Sequence, residues 1–564
     1  MKKLSAAVIA LALIAGVGLR VARLDKVPPA LAQDEACDGY DAYSILKTGR
    51  DHHGNFMPIV MQGFNDYRMP LFQYSLVPLV GVFGLKPAVV RLGAALWGII
   101  DLVVITIAAG LMLGWPGAAA ASILGALMPW HLELSRYGIE ATAASATISI
   151  AMASFLMWLR RRKDFWLLLS GLAFGLSLYT YAITKPLLPL LLGLIAILYW
   201  RELKPSKIKA VAALSIVGVL ALPQAVMFIR NAGLMQAEYS HLSLFSPDSI
   251  CMGCDSQQIK LAMSSIPYLL MANFASNFTP SFLFVHGDRG DHWTMLHPPN
   301  FGELLPEQAV LIVLAFIALL SPARRRLTIL ILGWLIFAAV PATLIKPLGV
   351  GFFEPGQTPT PWVMLNHEIP PAPVTASMLL DHADSRHSAL TMAPWILLSA
   401  LGFVVLLDLT SARPALRLTA VVLLLTGTTF HSARFVRTYF EEFPTFAAPY
   451  FQYGIKEVLQ TVDKNYSHDL PVVISPRINQ PYIYVLFFEK YPPAAYQRGP
   501  VLQEPGIFGH VEGFDRYRFV PQNRPYAELP HGVFVFRSVE RAFAMPDATI
   551  YYPDGSVAYN IIVK

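Results

Sequence analysis

The apolar residues of this chain come in blocks of about 20, the length of helix that crosses the hydrocarbon of a bilayer. Such blocks run near 4–23, 87–112, 116–134, 138–160, 164–182, 185–201, 209–229, 305–322, 327–346, 388–408 and 414–432, eleven in all. Of the 564 residues 55% are hydrophobic and only 14% charged, and mean hydropathy is +0.49. A soluble globular chain is nearer one-quarter charged. The pattern predicts a polytopic membrane protein. Two other apolar stretches, 70–84 and 262–285, are expected to dip into the membrane or lie along it; the second carries Pro267, Asn273 and Asn277.

Orientation follows from the placement of Lys and Arg, since cytoplasmic loops carry the excess. The first block follows Met1-Lys2-Lys3 and could be a secretory signal peptide. Only a faint small-residue site, Ala30-Leu31-Ala32, precedes the next polar loop, so the block is read as an uncleaved first span. With Lys2 and Lys3 inside, four further loops fall inside together: Arg160 to Lys163; Arg201, Lys204, Lys207 and Lys209; Arg324 to Arg326; and Arg413 with Arg417. That alternation needs eleven crossings and sends the carboxyl terminus outside. The large polar segments 24–69, 129–140, 230–304, 347–387 and 433–564 all then face the extracytoplasmic side. The formal charge of +6 carries no case for nucleic acid.

The first outer loop, LAQDEACDGYDAYSILKTGRDHHGNFMP (31–58), gathers Asp34, Glu35, Asp38 and Asp41. From 35 to 48 the apolar positions Ala36, Tyr40, Tyr43 and Leu46 recur at helical spacing, and Gly49 is a natural stop. This predicts an amphipathic helix at the outer surface. Asp34 is suited to cap its amino end and Glu35 to complement its dipole; a capping Asp34 is also held in place for chemistry. Further charges follow at Arg50, His52, Asp66 and Arg68, at His131, Glu133, Arg136 and Glu140, and at His286 and Asp288. In such turns charges are commonly solvated or paired with headgroups; charges facing a cavity between spans are more often functional. No spacing matches a strong metal-ligand motif, so no metal is expected. Cys251 and Cys254 form a lone CxxC, read as a local disulfide or as two thiols.

The tail differs in composition. Segments 470–476, 482–488 and 532–539 read as strands, though the second could be helical; 548–564 reads as a hairpin around Pro553-Asp554-Gly555, and 453–465 as a helix. Together they predict an α/β domain of about 120 residues, large enough for its own core.

Carboxylates beside cations at an outer membrane face suit one chemistry well. Arg or Lys offsets a phosphate headgroup, and a carboxylate in a partly dry cavity serves as base for a hydroxyl. Sugar transfer from a polyprenyl phosphate uses both and needs no Gly-rich nucleotide loop.

The stretches DEACDGYDAYSILKTGRDHHGNFMP, NDYRMPLFQYSLVPLVGVFGLKPAVVRL, PWHLELSRYGIEATA and NFASNFTPSFLFVHGD, in that order, resemble bacterial GT-C fold glycosyltransferases of the protein O-mannosyltransferase and lipid A aminoarabinose transferase clan. The resemblance implies a polytopic all-α membrane bundle of about eleven transmembrane helices over 1–432, with a periplasmic α/β domain over 433–564. It implies an integral-membrane enzyme of the bacterial inner membrane that moves a hexose or pentose from a polyprenyl-phosphate donor to a glycan, lipid or protein acceptor by inverting displacement. Asp34 would be the catalytic base and Glu35 its companion. Arg136, with Arg50 and Arg68, would meet the donor phosphate, and His131, Glu133, Asp66, His286 and Asp288 would line the substrate site. No cofactor is implied, and members of the clan generally need no metal. The competing readings are a transporter or flippase of lipid-linked sugars and a non-enzymatic scaffold. A transporter should bury charges near mid-membrane on broken helices, and a scaffold should survive loss of the first-loop carboxylates.

Overall fold

The computed structural model describes residues 2–64, 67–230, 244–245, 266–288, 296–345, 350–351, 362–363, 372–373, 383–475, 477–499, 503–504, 510–519, 531–540 and 544–564. Each of the eleven apolar blocks is occupied by helix. In chain order the first ones are α1 (Lys2–Val21), α2 (Gln33–Thr48), α3 (Leu71–Phe83), α4 (Pro87–Leu127), α5 (Pro129–Leu134), α6 (Ala141–Arg161), α7 (Asp164–Ser177), α8 (Thr184–Leu203) and α9 (Lys207–Arg230). After them come α10 (Ile266–Ser276), α11 (Pro306–Ile317), α12 (Pro322–Thr343), α13 (Met392–Leu409) and α14 (Pro414–Arg437). Helix α4 is two rods: Gly114 leaves helical geometry (φ 74°, ψ −168°) just ahead of Pro116, where proline removes a backbone donor. Among the described residues, seven helical stretches are long and apolar enough to cross a membrane; α3, α7 and the stretch from Pro306 to Leu320 are apolar but shorter. The chain is a multi-pass membrane protein.

The basic loops gather at one end. Arg326 grips Glu202 with both guanidinium nitrogens, at 2.5 and 2.6 Å, and lies over the Tyr199 ring. Arg324 pairs with Asp408, and Lys209 reaches Asp164 at 3.4 Å. These contacts tie together the turns that begin α7, α9, α12 and α14.

At the other end, α2 departs from expectation. It was expected at the surface with one apolar face, yet Glu35, Ala36, Cys37, Asp38, Gly39, Tyr40, Asp41, Ala42, Ser44 and Ile45 are all buried. Its apolar side chains share one core with Phe72, Leu76 and Val80 of α3, Val90 of α4, and Ile483, Tyr484 and Phe487 of the tail. The helix is walled in by the bundle on one side and the tail on the other. Tyr40 Oη donates to the Tyr491 carbonyl at 2.7 Å. Gln497 Nε2 donates to Ser44 Oγ, Thr48 Oγ1 and the Asp51 carbonyl. The helix does stop at Gly49, in the left-handed region at φ 69°, with its N–H on the Ile45 carbonyl.

The tail is an α/β domain. Its sheet has six strands: β3 (Val472–Ile474), β4 (Gly513–Phe514), β5 (Tyr517–Phe519), β6 (Val533–Arg537), β7 (Ala548–Tyr551) and β8 (Val557–Val563), in the order β7-β8-β6-β3-β5-β4. (β1, Met61–Gln62, and β2, Tyr67–Arg68, form a separate hairpin.) Strand β3 is parallel to both β5 and β6, whereas β6 with β8 and β7 with β8 are antiparallel. The segment 482–488, whose pattern suits a strand or a helix, is a helix (Pro481–Phe488) with proline in its first turn, a position where the missing N–H costs nothing. Every residue from Pro481 to Phe487 is buried, so neither period shows in its hydrophobicity. The expected helix over 453–465 forms as Ile455–Asn465.

Candidate active site at the outer end of the bundle

Asp34 sits in the first turn of α2, not at its cap. The cap position is Ala32, whose N–H donates to Glu35 Oε2 at 2.9 Å. Glu35 thus reaches back to do the capping expected of Asp34, half of a capping box. It is wholly buried. Arg91 Nε donates to its Oε1 at 2.8 Å and Nη2 to its Oε2 at 2.9 Å, while the Gly138 N–H donates to Oε1 at 2.9 Å. Arg91 spends its other donors on the carbonyls of Leu24, Pro28 and Ala30. Glu35 and Arg91 therefore form a structural node joining α2, α4 and the chain that follows α1.

Asp34, with a quarter of its side chain exposed, turns the other way. Arg68 Nη2 donates to Asp34 Oδ1 at 2.7 Å, and its Nη1 lies 3.4 Å from Asp38 Oδ1. Arg68 is placed by a two-stranded hairpin, β1 (Met61–Gln62) and β2 (Tyr67–Arg68), in which Met61 faces Arg68; its guanidinium also covers the Phe64 ring. Gln73 of α3 donates to Asp38 Oδ1 at 2.9 Å. Burial raises the Asp38 carboxyl well above the usual carboxylate range; Arg68 opposes the rise, and Glu140 and Asp34 add to it.

Glu140 and Asp34 lie near enough for Tyr181 to feel both, together with Asp384 and Arg386. Arg386 Nη2 pairs with Asp384 Oδ2 at 2.8 Å, and His387 Nδ1 lies 3.2 Å from the same oxygen. Burial would raise the Asp384 carboxyl, yet Arg386 and His387 together hold it well below the usual range. The His387 ring stacks on Tyr181 with centroids 6.4 Å apart. Sequence reasoning passed over Tyr181, Gln73, Arg91 and the run Asp384-Ser385-Arg386-His387. That run, set directly before an apolar block, was the available signal.

Other expected site residues lie elsewhere. Arg136 is buried, and its guanidinium donates to the carbonyls of Leu19, Arg20 and Val27 while stacking over Phe440; it clamps the end of α1 rather than opening towards Asp34. Arg50 is exposed, bonded to the Gly54 carbonyl at 2.7 Å and laid over Phe56. His131 is buried between Arg20, at 2.8 Å, and Asp101, at 3.4 Å. Glu133 meets His297 at 2.8 Å. His286 is half-buried at the end of a π-helical turn (Ser281–Val285). Asp288 is buried and accepts from the Ser385 N–H and Oγ. Asp66, Cys251 and Cys254 lie outside the described residues.

A second group lies two turns further along the same helix, at Asp41. His52 Nδ1 and its backbone N–H both meet Asp41 Oδ1, at 2.7 and 2.9 Å, and Cys37 Sγ lies 3.7 Å from Asp41 Oδ2. All three residues are buried.

No protein-family model matches the chain, and no curated protein matches it in sequence. Solved structures do match. ArnT from Cupriavidus metallidurans bound to undecaprenyl phosphate superposes with a TM-score of 0.54 at 13% identity, covering 86% of this chain and 84% of that one. The apo state of the same protein gives 0.50 at 14% identity with the same coverage. An oligosaccharyltransferase from Archaeoglobus fulgidus, in the apo form, is similar over 86% of this chain and 63% of its own, at 12% identity and a TM-score of 0.48. The likeness to ArnT shows the fold: this is a GT-C type membrane bundle with a C-terminal sheet domain.

Proposed function

We propose that the chain is an integral-membrane glycosyltransferase that takes a sugar from a polyprenyl phosphate and places it on an acceptor hydroxyl outside the cytoplasm. The observation that carries the reading is the contact between Asp34 and Arg68, a partly exposed carboxylate held by a cation at the end of the bundle opposite the basic loops. The match to a protein solved with undecaprenyl phosphate supports the donor class. On this reading residues 1–432 are the transferase bundle, residues 433–564 the periplasmic domain, and the bundle crosses a bacterial inner membrane eleven times.

In this mechanism Arg68 is the phosphate's partner. A phosphate arriving there competes with Asp34 for the same guanidinium nitrogen. As the ion pair parts, Asp34 is released to take the proton of the acceptor hydroxyl. That oxygen attacks the anomeric carbon on the face opposite the phosphate, and the C–O bond to the phosphate breaks with its electron pair leaving on the polyprenyl phosphate. General-base assistance is worth roughly 100- to 10,000-fold, and fixed cations around a leaving phosphate act on the same transition state. Asp384, Arg386 and Tyr181 supply the opposite wall, where a sugar would find donors and acceptors. Arg136 and Glu35 hold the walls in place.

The test is binding of undecaprenyl phosphate to the purified protein in detergent, followed by native mass spectrometry. The wild-type chain should retain the lipid, and Arg68→Ala should retain roughly 10- to 100-fold less at equal lipid, the worth of one charge-assisted contact. Equal retention by both would remove Arg68 from the donor site. A flippase would bind the lipid too, but Asp34→Asn would leave its transport intact and no sugar would change carrier.

A further inference from the structure

A second polar cluster lies outside the Asp34 site. Glu133 comes from α5, and His297 and Glu303 from the segment before α11. All three side chains are buried, none more than 3% exposed. His297 Nδ1 stands 2.8 Å from Glu133 Oε2 and 3.9 Å from Glu303 Oε1. One potential ligand atom from each residue lies within 4.8 Å of the other two.

The imidazole is held from every other side. Nε2 bonds to the Phe301 carbonyl at 2.7 Å, which makes it the protonated nitrogen and turns Nδ1 towards the two carboxylates. That outer hydrogen bond is the usual way a metal-binding histidine is oriented. The ring stacks on Phe435 at 6.4 Å. Gly287, at φ 62°, lies so close that a Cβ there would come within 2.4 Å of Nε2. Backbone bonds lock the same segments together: the Trp130 N–H meets the Glu303 carbonyl, and the Glu303 and Leu304 N–H groups meet the carbonyls of Phe282 and Leu283.

The carboxylates are not satisfied. Glu133 Oε1 and Glu303 Oε2 are buried with no hydrogen-bond partner among the described residues. Glu303 Oε1 accepts from the Asp288 N–H at 2.9 Å, and Glu133 Oε2 has His297. Buried polar atoms left without a partner are costly, and a cation held between the two glutamates and His297 would give both orphaned oxygens a partner.

We propose that Glu133, His297 and Glu303 form a binding site for a first-row divalent cation of the zinc class. One nitrogen and carboxylate oxygens are ligands that such ions accept. Atoms bound to zinc at about 2.0–2.2 Å lie no more than about 4.4 Å apart, and both His297 to carboxylate separations are shorter. A second oxygen from either glutamate completes four-coordination without a solvent position. The site is therefore structural: it pins α5 to the chain between the π-helical turn and α11. Residue spacing does not reveal the site, because the ligands come from separated segments in no recognisable pattern. This inference is independent of the proposed transfer reaction.

The probe is zinc alone, on the full-length chain purified in detergent, stripped with chelator, reloaded with Zn²⁺ and desalted. The expected result is about one tightly held zinc per chain, a thermal midpoint several degrees above the stripped protein, and an X-ray absorption edge with an imidazole and oxygens in the first shell. Glu303→Gln should hold zinc at least tenfold more weakly, with no rise in midpoint on reloading. If that variant fails to fold, Glu133→Gln makes the same comparison, since it leaves the bond from the Asp288 N–H to Glu303 in place. Zinc retained equally by the folded variant, a first shell containing sulfur (which would locate the ion at one or more of Cys37, Cys251 and Cys254), or a wild-type chain that takes up no zinc would each overturn the assignment.

Discussion

Glu35 and Arg91 meet side by side in the interior, two guanidinium nitrogens on two carboxylate oxygens at 2.8 and 2.9 Å, 56 residues apart in sequence. One residue earlier, Asp34 faces a partly open site. Adjacent carboxylates thus hold different posts because consecutive helical positions point about 100° apart. Removing one partner of a buried pair costs about 3–5 kcal/mol. Glu35→Ala should therefore lower the thermal midpoint and the activity together, measured on purified protein in detergent. Loss of activity at an unchanged midpoint would give Glu35 a chemical role instead.

Arg68 is the cation placed to receive a phosphate, and its two nitrogens face two different carboxyls. Lysine offers a point charge rather than a planar fork. Arg68→Lys should keep part of the donor affinity and Arg68→Ala little of it, read as apparent KM for the polyprenyl-phosphate sugar. Identical kinetics in the two variants would show that charge at this position is not what the donor meets.

The Asp41–His52 pair makes stability depend on pH from both sides. Burial disfavours charge on both groups, but Asp41 raises the His52 imidazole above 6.5, and His52 lowers the Asp41 carboxyl below 3.8. A histidine with a raised value contributes fully below 6.5, and that contribution is lost as pH climbs through the raised value. A carboxyl with a lowered value contributes above 3.8 and fails as pH falls through the lowered one. The wild-type midpoint should therefore be highest between these limits and fall on the alkaline side. His52→Gln should flatten the alkaline fall, a result that thermal unfolding across a pH series can check.

Gly39 is where α2 lies closest to its neighbours. A Cβ there would stand 2.6 Å from Val90 Cγ2 and 2.7 Å from Phe487 Cε2. Overpacking of this kind costs about 1–3 kcal/mol. Gly39→Ala should lower the midpoint and loosen the tail's grip on α2, seen as faster protease cleavage between the two. An unaffected variant would mean that the tail does not fix the helix that carries Asp34.

The membrane bundle was legible because lipid allows few ways to satisfy a backbone, and each apolar block became helix. The amphipathic helix after Asp34 and its stop at Gly49 were equally plain. Its burial was not, since Tyr40 and Ser44 meet partners about 450 residues later in the chain. The same distance effect hid the work of Arg136. Its position in the second outer turn was visible, but not that its donors end on the carbonyls of Leu19, Arg20 and Val27. Residues 482–488 left strand and helix both open for another reason: a segment buried all round shows no amphipathic period. Asp384, Arg386 and His387 went unremarked because nothing local shows that His387 stacks on Tyr181, about 200 residues earlier.

The central claim is that Asp34 takes the acceptor's proton. The most direct measurement compares, by mass spectrometry, the envelope glycans, lipids and proteins of cells expressing the wild-type chain with those expressing Asp34→Asn at equal abundance and equal thermal midpoint. One species should carry an added sugar with the wild-type chain and lose it with the variant. If the same sugar persists with Asp34→Asn at undiminished level, Asp34 is not the base.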